Sequence, residues 1–168
     1  MEIEQRNLQP ATQLAELLEA TKTTIVFAES CTAGLVSATL AAVPGISKWL
    51  CGSAVVYREA TKVGWLGVDE EQLKRHSAVS AEVTTELAVG VLNRTPEAKL
   101  AVAVTGHLGP NAPSIQDGVI FIAVRRRDDS VQDVVSTRFQ LSSVDRVDRQ
   151  HEAADRVIAA AIAAMVVV

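Results

Sequence analysis

The chain is 168 residues long; 48% of its residues are apolar, 21% are charged, and its formal net charge is −4. This length predicts one domain, residues 1–168, with a sizeable core. The charge argues against a sequence-independent nucleic-acid binder, because neutralising phosphates requires clustered Lys and Arg. The one basic cluster, residues 125–127, precedes two aspartates and is predicted to be a solvated hairpin end.

Neither end of the sequence predicts an association with membranes. The first ten residues are polar and acidic, unlike a secretory signal, and the last 12 are apolar but too few to span a bilayer. We expect the latter to form a buried helix end or an oligomer contact. Cys31 and Cys51 suggest no disulfide framework, which favours a reducing cytoplasm.

The first half of the chain alternates between helical and strand-like patterns. Leucines at helical spacing predict a helix that ends near residue 20, and Asp69 with Gln72 has the spacing of a capping box. Between them we predict, in order, a strand at residues 24–28, a helix at 31–42, a strand at 51–57 and a short helix that carries Lys62.

The second half predicts a helix capped by Ser80, a strand at residues 99–106 that is apolar on both faces, and a hairpin. The hairpin consists of residues 118–126 and 131–139, and Ser142 or Ser143 begins a long terminal helix. This alternation predicts an α/β domain with a mixed sheet and helices on both faces. In such sheets the functional site lies beyond the strand ends.

Residues 29–32 (Glu-Ser-Cys-Thr) lie where a predicted strand turns into a helix. A side chain at the start of that helix faces unpaired N–H groups and the positive end of the dipole, which stabilise an oxyanion. Ala33 and Gly34 would let another molecule approach the backbone. The alternative is that Ser30 or Thr32 merely caps the helix, as Ser and Thr do at most helix starts.

Lys62 is predicted to lie one turn into a helix, just past a strand end. Burial would lower the pKa of its ammonium, and a neutral Lys can take a proton from Ser in a nucleophile–base pair. The alternative is a surface lysine on an amphipathic helix. For Tyr57, the only tyrosine, the alternative is an aromatic residue packed at a strand end.

Residues 104–118 (VTGHLGPNAPSIQDG) predict a tight loop that can wrap a ligand, because Gly106, Gly109 and Pro110 follow a buried strand. The spacing fits neither a GxGxxG turn nor a P-loop. His107 is a candidate ligand contact or pH-sensitive group, with a partly exposed polar residue as the alternative. No pair of His, Cys or acidic residues has metal-ligand spacing, so we predict no metal.

Together these loops suit acyl transfer. In that reaction Ser30 attacks, Lys62 removes its proton, and backbone N–H groups hold the oxyanion. The chemistry requires that the three loops meet at one edge of the sheet.

The sequence resembles, in five ordered segments covering essentially the whole chain, the CinA C-terminal domain family, whose members include the nicotinamide-nucleotide amidases (PncC). The segments are AESCTAG (28–34), GSAVVYREATKVGWLGV (52–68), HSAVSAEV (76–83), VAVTGHLGP (102–110) and DGVIFIAV (117–124). The resemblance implies a three-layer α/β/α sandwich with a mixed, mostly parallel five-stranded sheet, a homo-oligomer and no cofactor. It also implies hydrolysis of the carboxamide of nicotinamide mononucleotide to nicotinic acid mononucleotide and ammonia, in pyridine-nucleotide salvage.

The resemblance also implies residue roles. Ser30 matches the nucleophile, Lys62 its base, and Tyr57 the strand-end tyrosine beside them. Cys31, a thiol close to a helix dipole, is a rival nucleophile. Contacts with the substrate are expected from the remaining motif residues and from one of two arginines: Glu29, Cys31, Thr32, Ala33, Gly34, Thr105, Gly106, His107, Gly109, Arg146 and Arg149.

The catalytic pair is kept while the ligand-recognition groups depart from the family pattern. Ala33 replaces a glycine of the family pattern, and Glu59 replaces an asparagine. His107 replaces an apolar residue, and residues 111–113 (Asn-Ala-Pro) replace an acidic residue and glycines. The Gly-x-Arg motif that the family usually has before the last helix is absent. Either Arg146 or Arg149 is therefore expected to take the place of its arginine and bind a phosphate.

Two alternatives to an amidase therefore stay open: a paralogue that binds a nucleotide-like small molecule without turnover, and an oligomeric interaction module. A hydrogen-bonded Ser30–Lys62 pair at a pocket favours catalysis, and a Lys62 directed to solvent favours binding alone. An apolar patch on the C-terminal helix, with no pocket, favours the interaction module.

Overall fold

The computed structural model describes residues 7–166, in which helices and strands alternate. Two short 3-10 turns, Ile46–Lys48 and Val131–Asp133, lie between them. The elements are, in chain order, α1 (Gln9–Thr21), β1 (Ile25–Glu29), α2 (Leu35–Ala41), β2 (Leu50–Val55), α3 (Glu59–Leu66), α4 (Glu70–His76), α5 (Ala81–Arg94), β3 (Leu100–Gly106), β4 (Val119–Arg126), β5 (Val135–Gln140) and α6 (Arg146–Val166).

The five strands form one mixed sheet in the order β2-β1-β3-β4-β5. β1 pairs in parallel with β2 and β3, and the β4–β5 hairpin adds two antiparallel pairings beside β3. Glu29, the last residue of β1, is in register with Val55 of β2 and Val104 of β3. The carboxyl ends of the three parallel strands therefore lie at one edge, where α/β proteins place their functional groups. The predicted mixed sheet is confirmed.

Helices cover both faces of the sheet, as the alternating side chains of β1 show. Ile25 and Phe27 belong to a core shared with α1, α2 and α6, whereas Val26 and Ala28 belong to a core shared with α4 and α5. Both sides of β1 and β3 are buried, which explains the nearly continuous apolar sequence of these strands. The predicted three-layer sandwich is confirmed.

The Ala-rich end of α6 is a buried helix end, one of the two outcomes predicted. Ala161 and Met165 lie in the core that α6 shares with α1 and α2. Within residues 7–166, no helix combines the length and the hydropathy that a bilayer span requires. The last two residues of the sequence lie outside the described part of the chain.

Two helices begin later than predicted. α2 starts at Leu35, because residues 31–34 form a turn. α6 starts at Arg146, because the carboxylate of Glu152 accepts hydrogen bonds from the backbone N–H groups of Ser142 and Ser143 and keeps them outside the helix. Ser80 and Asp69 cap their helices as predicted. Strand β2 ends at residue 55, two residues before the predicted end at residue 57.

The basic cluster is only partly solvated, whereas the sequence predicted a solvated hairpin end. Arg127 donates hydrogen bonds to the carbonyls of Leu92, Thr95 and Ala98, in and just beyond the last turn of α5. The carbonyls that end a helix lack intrahelical partners and carry partial negative charge, which a guanidinium compensates. Arg125 is only 8% exposed. The cluster therefore holds α5 against the sheet.

Candidate active site

A pocket of about 240 Å³ opens at the sheet edge where β1, β2 and β3 end. Its walls come from the turn after β1, the β2–α3 region, the α4–α5 loop, the loop after β3 and the start of α6. The lining residues are Ser30, Cys31, Tyr57, Lys62, Ala78, Val79, residues 106–112 and Arg146. The three loops singled out from the sequence thus meet at one pocket.

Ser30 and Lys62 are in hydrogen-bond contact at the base of this pocket. Lys62 Nζ lies 3.0 Å from Ser30 Oγ, 2.7 Å from the carbonyl oxygen of Val56 and 3.0 Å from that of Tyr57. When the amine is neutral, its two N–H groups can serve the two carbonyls while its lone pair faces the Ser30 hydroxyl. The β2–α3 loop thus holds the amine in the orientation that a general base needs.

Burial prepares Lys62 to lose its proton. The side chain is 1% exposed, and no carboxylate pairs with it among the described residues. Desolvation lowers the pKa of Lys62 from 10.5 to about 8, against smaller opposing effects of Cys31 and Glu59. A substantial fraction of Lys62 is therefore neutral near pH 8, as proton removal from Ser30 requires.

Glu29 shapes the turn that presents Ser30. Its carboxylate is fully buried and accepts hydrogen bonds from the backbone N–H groups of residues 34, 36 and 37 and from the hydroxyls of Thr32 and Ser53. Glu29 thereby replaces the N-cap of α2, since Gly34 at that position has no side chain. The N–H groups of residues 34, 36 and 37, at the start of α2 as the structure has it, are thus paired with Glu29.

Cys31 lines the pocket next to Ser30 but is poorly suited to attack. Burial raises the pKa of its thiol from 9.0 to about 12, so that the reactive thiolate is scarce near neutral pH. Its Sγ also lies close to Gly106, where an added Cβ would come within 3.0 Å of it and within 2.5 Å of Ile120. Cys31 therefore packs against a glycine that the close approach requires.

Tyr57 and Arg146 meet at the mouth of the pocket. Arg146 donates one hydrogen bond to the Tyr57 hydroxyl at 2.8 Å and another, through Nη1, to the carbonyl oxygen of Gly109. Tyr57 is 52% exposed. The contact joins the β2–α3 loop, the loop after β3 and α6, and it leaves Arg146 exposed to an incoming ligand.

Arg149 is engaged elsewhere. It forms a two-pronged ion pair with Asp117 at 2.7 and 2.9 Å and also donates to the carbonyls of Leu108 and Ser143. These contacts hold the loop after β3 against α6. Of the two arginines proposed from the sequence, Arg146 lines the pocket, whereas Arg149 does not.

The remaining candidate residues divide into pocket residues and supporting residues. Gly106, His107 and Gly109 line the pocket. Thr105 is fully buried and shares a hydrogen bond with Thr84. Thr32 is buried like Glu29, and its hydroxyl donates a hydrogen bond to the Glu29 carboxylate. Ala33 and Gly34 belong to the same turn but do not line the pocket. Positions 29, 32 and 105 thus support the site from behind rather than lining it.

Sequence reasoning missed a contact from α6 to the turn that follows Ser30. Gln150 Nε2 lies 3.4 Å from the carbonyl oxygen of Cys31 and 3.3 Å from that of Thr32. Gln150 follows Arg146 by four residues, so the two lie on the same face of α6. This spacing was the signal in the sequence that could have identified Gln150. No group of His, Cys, Asp and Glu residues within positions 7–166 could hold a metal ion.

Comparisons with known proteins agree with this architecture. The chain is 40% identical over 116 residues to a CinA-like protein of Gloeobacter violaceus, covering 68% of this chain and 27% of that protein. It is 39% identical over 116 residues to a CinA-like protein of Myxococcus xanthus, with the same coverage. The matched region spans about a quarter of the length of these relatives.

Two crystal structures resemble the whole domain. One is the competence damage-inducible protein A of Klebsiella pneumoniae, with a TM-score of 0.86 and 26% identity over 93% of this chain and 94% of that one. The other is a competence/damage inducible protein of Agrobacterium tumefaciens, with a TM-score of 0.86 and 27% identity over 93% of both chains. The family model for the CinA C-terminal domain matches residues 7–165. The chain belongs to the CinA C-terminal domain family.

Proposed function

We propose that the protein is an amidohydrolase that uses Ser30 as nucleophile and Lys62 as general base. The observation that carries the proposal is the contact of 3.0 Å between the buried Lys62 Nζ and Ser30 Oγ at a pocket. A nucleophile within hydrogen-bond reach of an oriented base is the arrangement that covalent catalysis uses. A binding-only role would not need a buried lysine with a lowered pKa beside a serine.

In the first half of the reaction, neutral Lys62 takes the Ser30 proton as Oγ attacks the carboxamide carbon. The tetrahedral intermediate then collapses, and the Lys62 ammonium returns the proton to the departing nitrogen, which leaves as ammonia. The product is an ester between Ser30 and the acyl group. In the second half, Lys62 takes a proton from water, which attacks the ester, and returns it to Ser30 Oγ as the acid leaves.

The substrate that we propose is nicotinamide mononucleotide, which the family resemblance suggests. It carries a carboxamide for Ser30 and a phosphate for a cation at the pocket mouth. Arg146 is the candidate for that cation, because it is exposed, lines the pocket and forms no ion pair among the described residues. Guanidinium groups bind phosphate through paired N–H donors.

The experiment is ammonia release from nicotinamide mononucleotide by the wild type, with Ser30→Ala alongside. The proposal expects release by the wild type and a loss of at least about 100-fold in Ser30→Ala, since a covalent route requires the hydroxyl. Thermal unfolding checks that both proteins are folded. Equal release by both proteins would exclude Ser30 as nucleophile, and no release by the folded wild type would exclude this substrate.

A further inference from the structure

The loop after β3 carries two consecutive backbone N–H groups that have no acceptor in the described part of the chain. Within residues 7–166, neither Leu108 nor Gly109 donates a backbone hydrogen bond, although both residues line the catalytic pocket. Leu108 is only 3% exposed. Buried backbone N–H groups are nearly always paired, so two unpaired ones at this pocket point to an acceptor that the substrate supplies.

The direction of the Leu108 N–H follows from the peptide bond before it, which is trans. The carbonyl oxygen of His107 accepts a hydrogen bond from the N–H of Gly118, just before β4, at 2.9 Å. In a trans peptide the C=O and the following N–H point in opposite directions, so the Leu108 N–H points away from β4. Since β3 lies between β4 and β1, and Ser30 follows β1, this N–H is directed to the side of the pocket that holds Ser30.

Arg149 orients the Gly109 N–H by the same geometry. Its guanidinium donates to the carbonyl oxygen of Leu108 at 3.2 Å and is itself held by two hydrogen bonds to Asp117. The Gly109 N–H points away from that carbonyl, and hence away from Arg149, which lies outside the catalytic pocket. A Cβ at residue 109 would come within 2.9 Å of both Arg149 and Asp117. Glycine is therefore required beside this ion pair.

The N–H groups that follow Ser30 are less available to a substrate. Burial raises the pKa of the Cys31 thiol, and the backbone N–H of Cys31, which faces its own sulfur, opposes that rise. The N–H groups of residues 33–37 donate to carbonyls of the same turn or to Glu29. Thr32 does not line the pocket. The loop after β3 therefore offers the donors that this turn does not.

We propose that the backbone N–H groups of Leu108 and Gly109 form the oxyanion hole, and that Arg149 is the positioning residue that aligns it. The proposal rests on the proposed function. When Ser30 Oγ bonds to the carboxamide carbon, the electron pair of the C=O π bond moves to the oxygen, and the two N–H groups stabilise that charge. The C=O bond re-forms as the nitrogen leaves. Because the full charge exists only near the transition state, these donors act on kcat more than on KM.

The direct test replaces the Leu108 N–H by an ester oxygen, through incorporation of the α-hydroxy acid analogue of leucine. We expect kcat for nicotinamide mononucleotide to fall at least tenfold, toward the roughly 100- to 1,000-fold loss usual for one oxyanion donor, with KM within threefold. The same backbone replacement at Ile115, which is 82% exposed, should change neither constant. An unchanged kcat in the folded Leu108 variant would overturn the proposal.

Arg149→Lys tests the positioning role and decides the proposal if the Leu108 variant does not fold. Lysine keeps the charge but cannot hold Asp117 through two N–H groups and the Leu108 carbonyl at once. We expect kcat to fall at least tenfold with KM within threefold, and the affinity for pyridine-3-boronic acid, which forms a tetrahedral adduct with a serine hydroxyl, to fall in proportion to kcat. Arg138→Lys, on an exposed arginine of β5, is the control. A raised KM with an unchanged kcat would refute the positioning role.

The boronic acid also separates this proposal from the amidase function. If the wild type hydrolyses no amide, that function fails, and boron NMR of the wild type with pyridine-3-boronic acid decides the oxyanion hole. Ser30→Ala should form no tetrahedral adduct. An adduct of the wild type that the Leu108 replacement weakens at least tenfold supports the hole, whereas an adduct of unchanged affinity, or none, refutes it.

Discussion

Lys62 Nζ lies 3.0 Å from Ser30 Oγ although 32 residues separate the two along the chain. The parallel pairing of β1 with β2 brings them together, because Ser30 follows the end of β1 and Lys62 lies on the helix after β2. The contact is thus a product of the sheet topology. Its chemical use can be tested at each partner and at the charges around it.

Replacing Lys62 by methionine should abolish catalysis while leaving the fold intact. Methionine fills a similar volume but cannot accept the Ser30 proton, and we expect kcat to fall by about 100- to 10,000-fold, the usual contribution of a general base. The carbonyls of Val56 and Tyr57 lose a donor, which costs about 1–3 kcal/mol of the free energy of unfolding. Ammonia release and urea denaturation measure the two effects. Lys74→Met, on an exposed lysine, is the control, and more than a tenth of wild-type activity in Lys62→Met would contradict the mechanism.

The pH dependence of catalysis should report Lys62 and respond to Glu59. Since the neutral amine is the base, kcat/KM should rise with pH and level off above about 8. The carboxylate of Glu59 raises the pKa of Lys62, so Glu59→Gln should lower that pKa and move the rise to lower pH. Profiles between pH 6 and 10 measure the midpoint. Glu71→Gln, where the carboxylate pairs with exposed Lys74, should leave the midpoint in place, and an unmoved or higher midpoint in Glu59→Gln would refute the assignment.

Ala33 is a strained position that glycine should relieve. Its φ of 51° lies in the left-handed region, which costs an L-residue with a Cβ roughly 1–2 kcal/mol. Ala33→Gly should therefore raise the free energy of unfolding by up to about 1 kcal/mol, after the greater chain entropy of glycine is subtracted. Ala159→Gly, at an exposed site within α6, should instead lower it by about 0.5–1 kcal/mol. Urea denaturation of both variants gives the comparison, and a loss of stability in Ala33→Gly would show that no strain is present.

Glu152 should make the protein sensitive to acid. Burial alone would raise its pKa, but the hydrogen bonds from Ser142 and Ser143 lower the pKa from 4.5 to about 2. Because the folded protein binds this proton less readily than the unfolded chain, the stabilisation is complete above pH 4.5 and is lost as the pH falls toward 2. Glu152→Gln should thus lower the thermal midpoint at pH 7, and the difference from wild type should shrink between pH 5 and 2. Glu19→Gln, on an exposed face of α1, serves as control, and a difference independent of pH would refute the ionic origin.

The sequence predicts the secondary structure because strands, helix caps and turns have local signals. Apolar strands, the Ser80 cap and the Gly-Pro loop each follow from residues close together in the chain. The placement of Ser30 and Lys62 just past two predicted strand ends also identified them as a possible pair. It could not establish their contact, since the distance depends on how β1 and β2 pair.

The function of Glu29 could not be predicted, because its partners lie on two different elements. A conventional cap bonds the N–H group two or three positions on, whereas Glu29 reaches residues 34, 36 and 37 and also Ser53 on β2. The two arginines of α6 present the same difficulty. Arg149 is distinguished from Arg146 by Asp117, a partner 32 residues away, and no local pattern records that pairing.

The bond from Ser53 to Glu29 has a consequence for how the protein responds to its surroundings. Within residues 7–166, β2 is an edge strand, with β1 on one side and no strand on the other. The same carboxylate that accepts the Ser53 hydroxyl at 2.9 Å holds the turn carrying Ser30. A displacement of this outer strand would therefore act on the turn that carries Ser30 through the buried Glu29 carboxylate as well as through the backbone pairing of β1 with β2. Loosening the edge strand would thus shift the hydroxyl that we propose as the nucleophile.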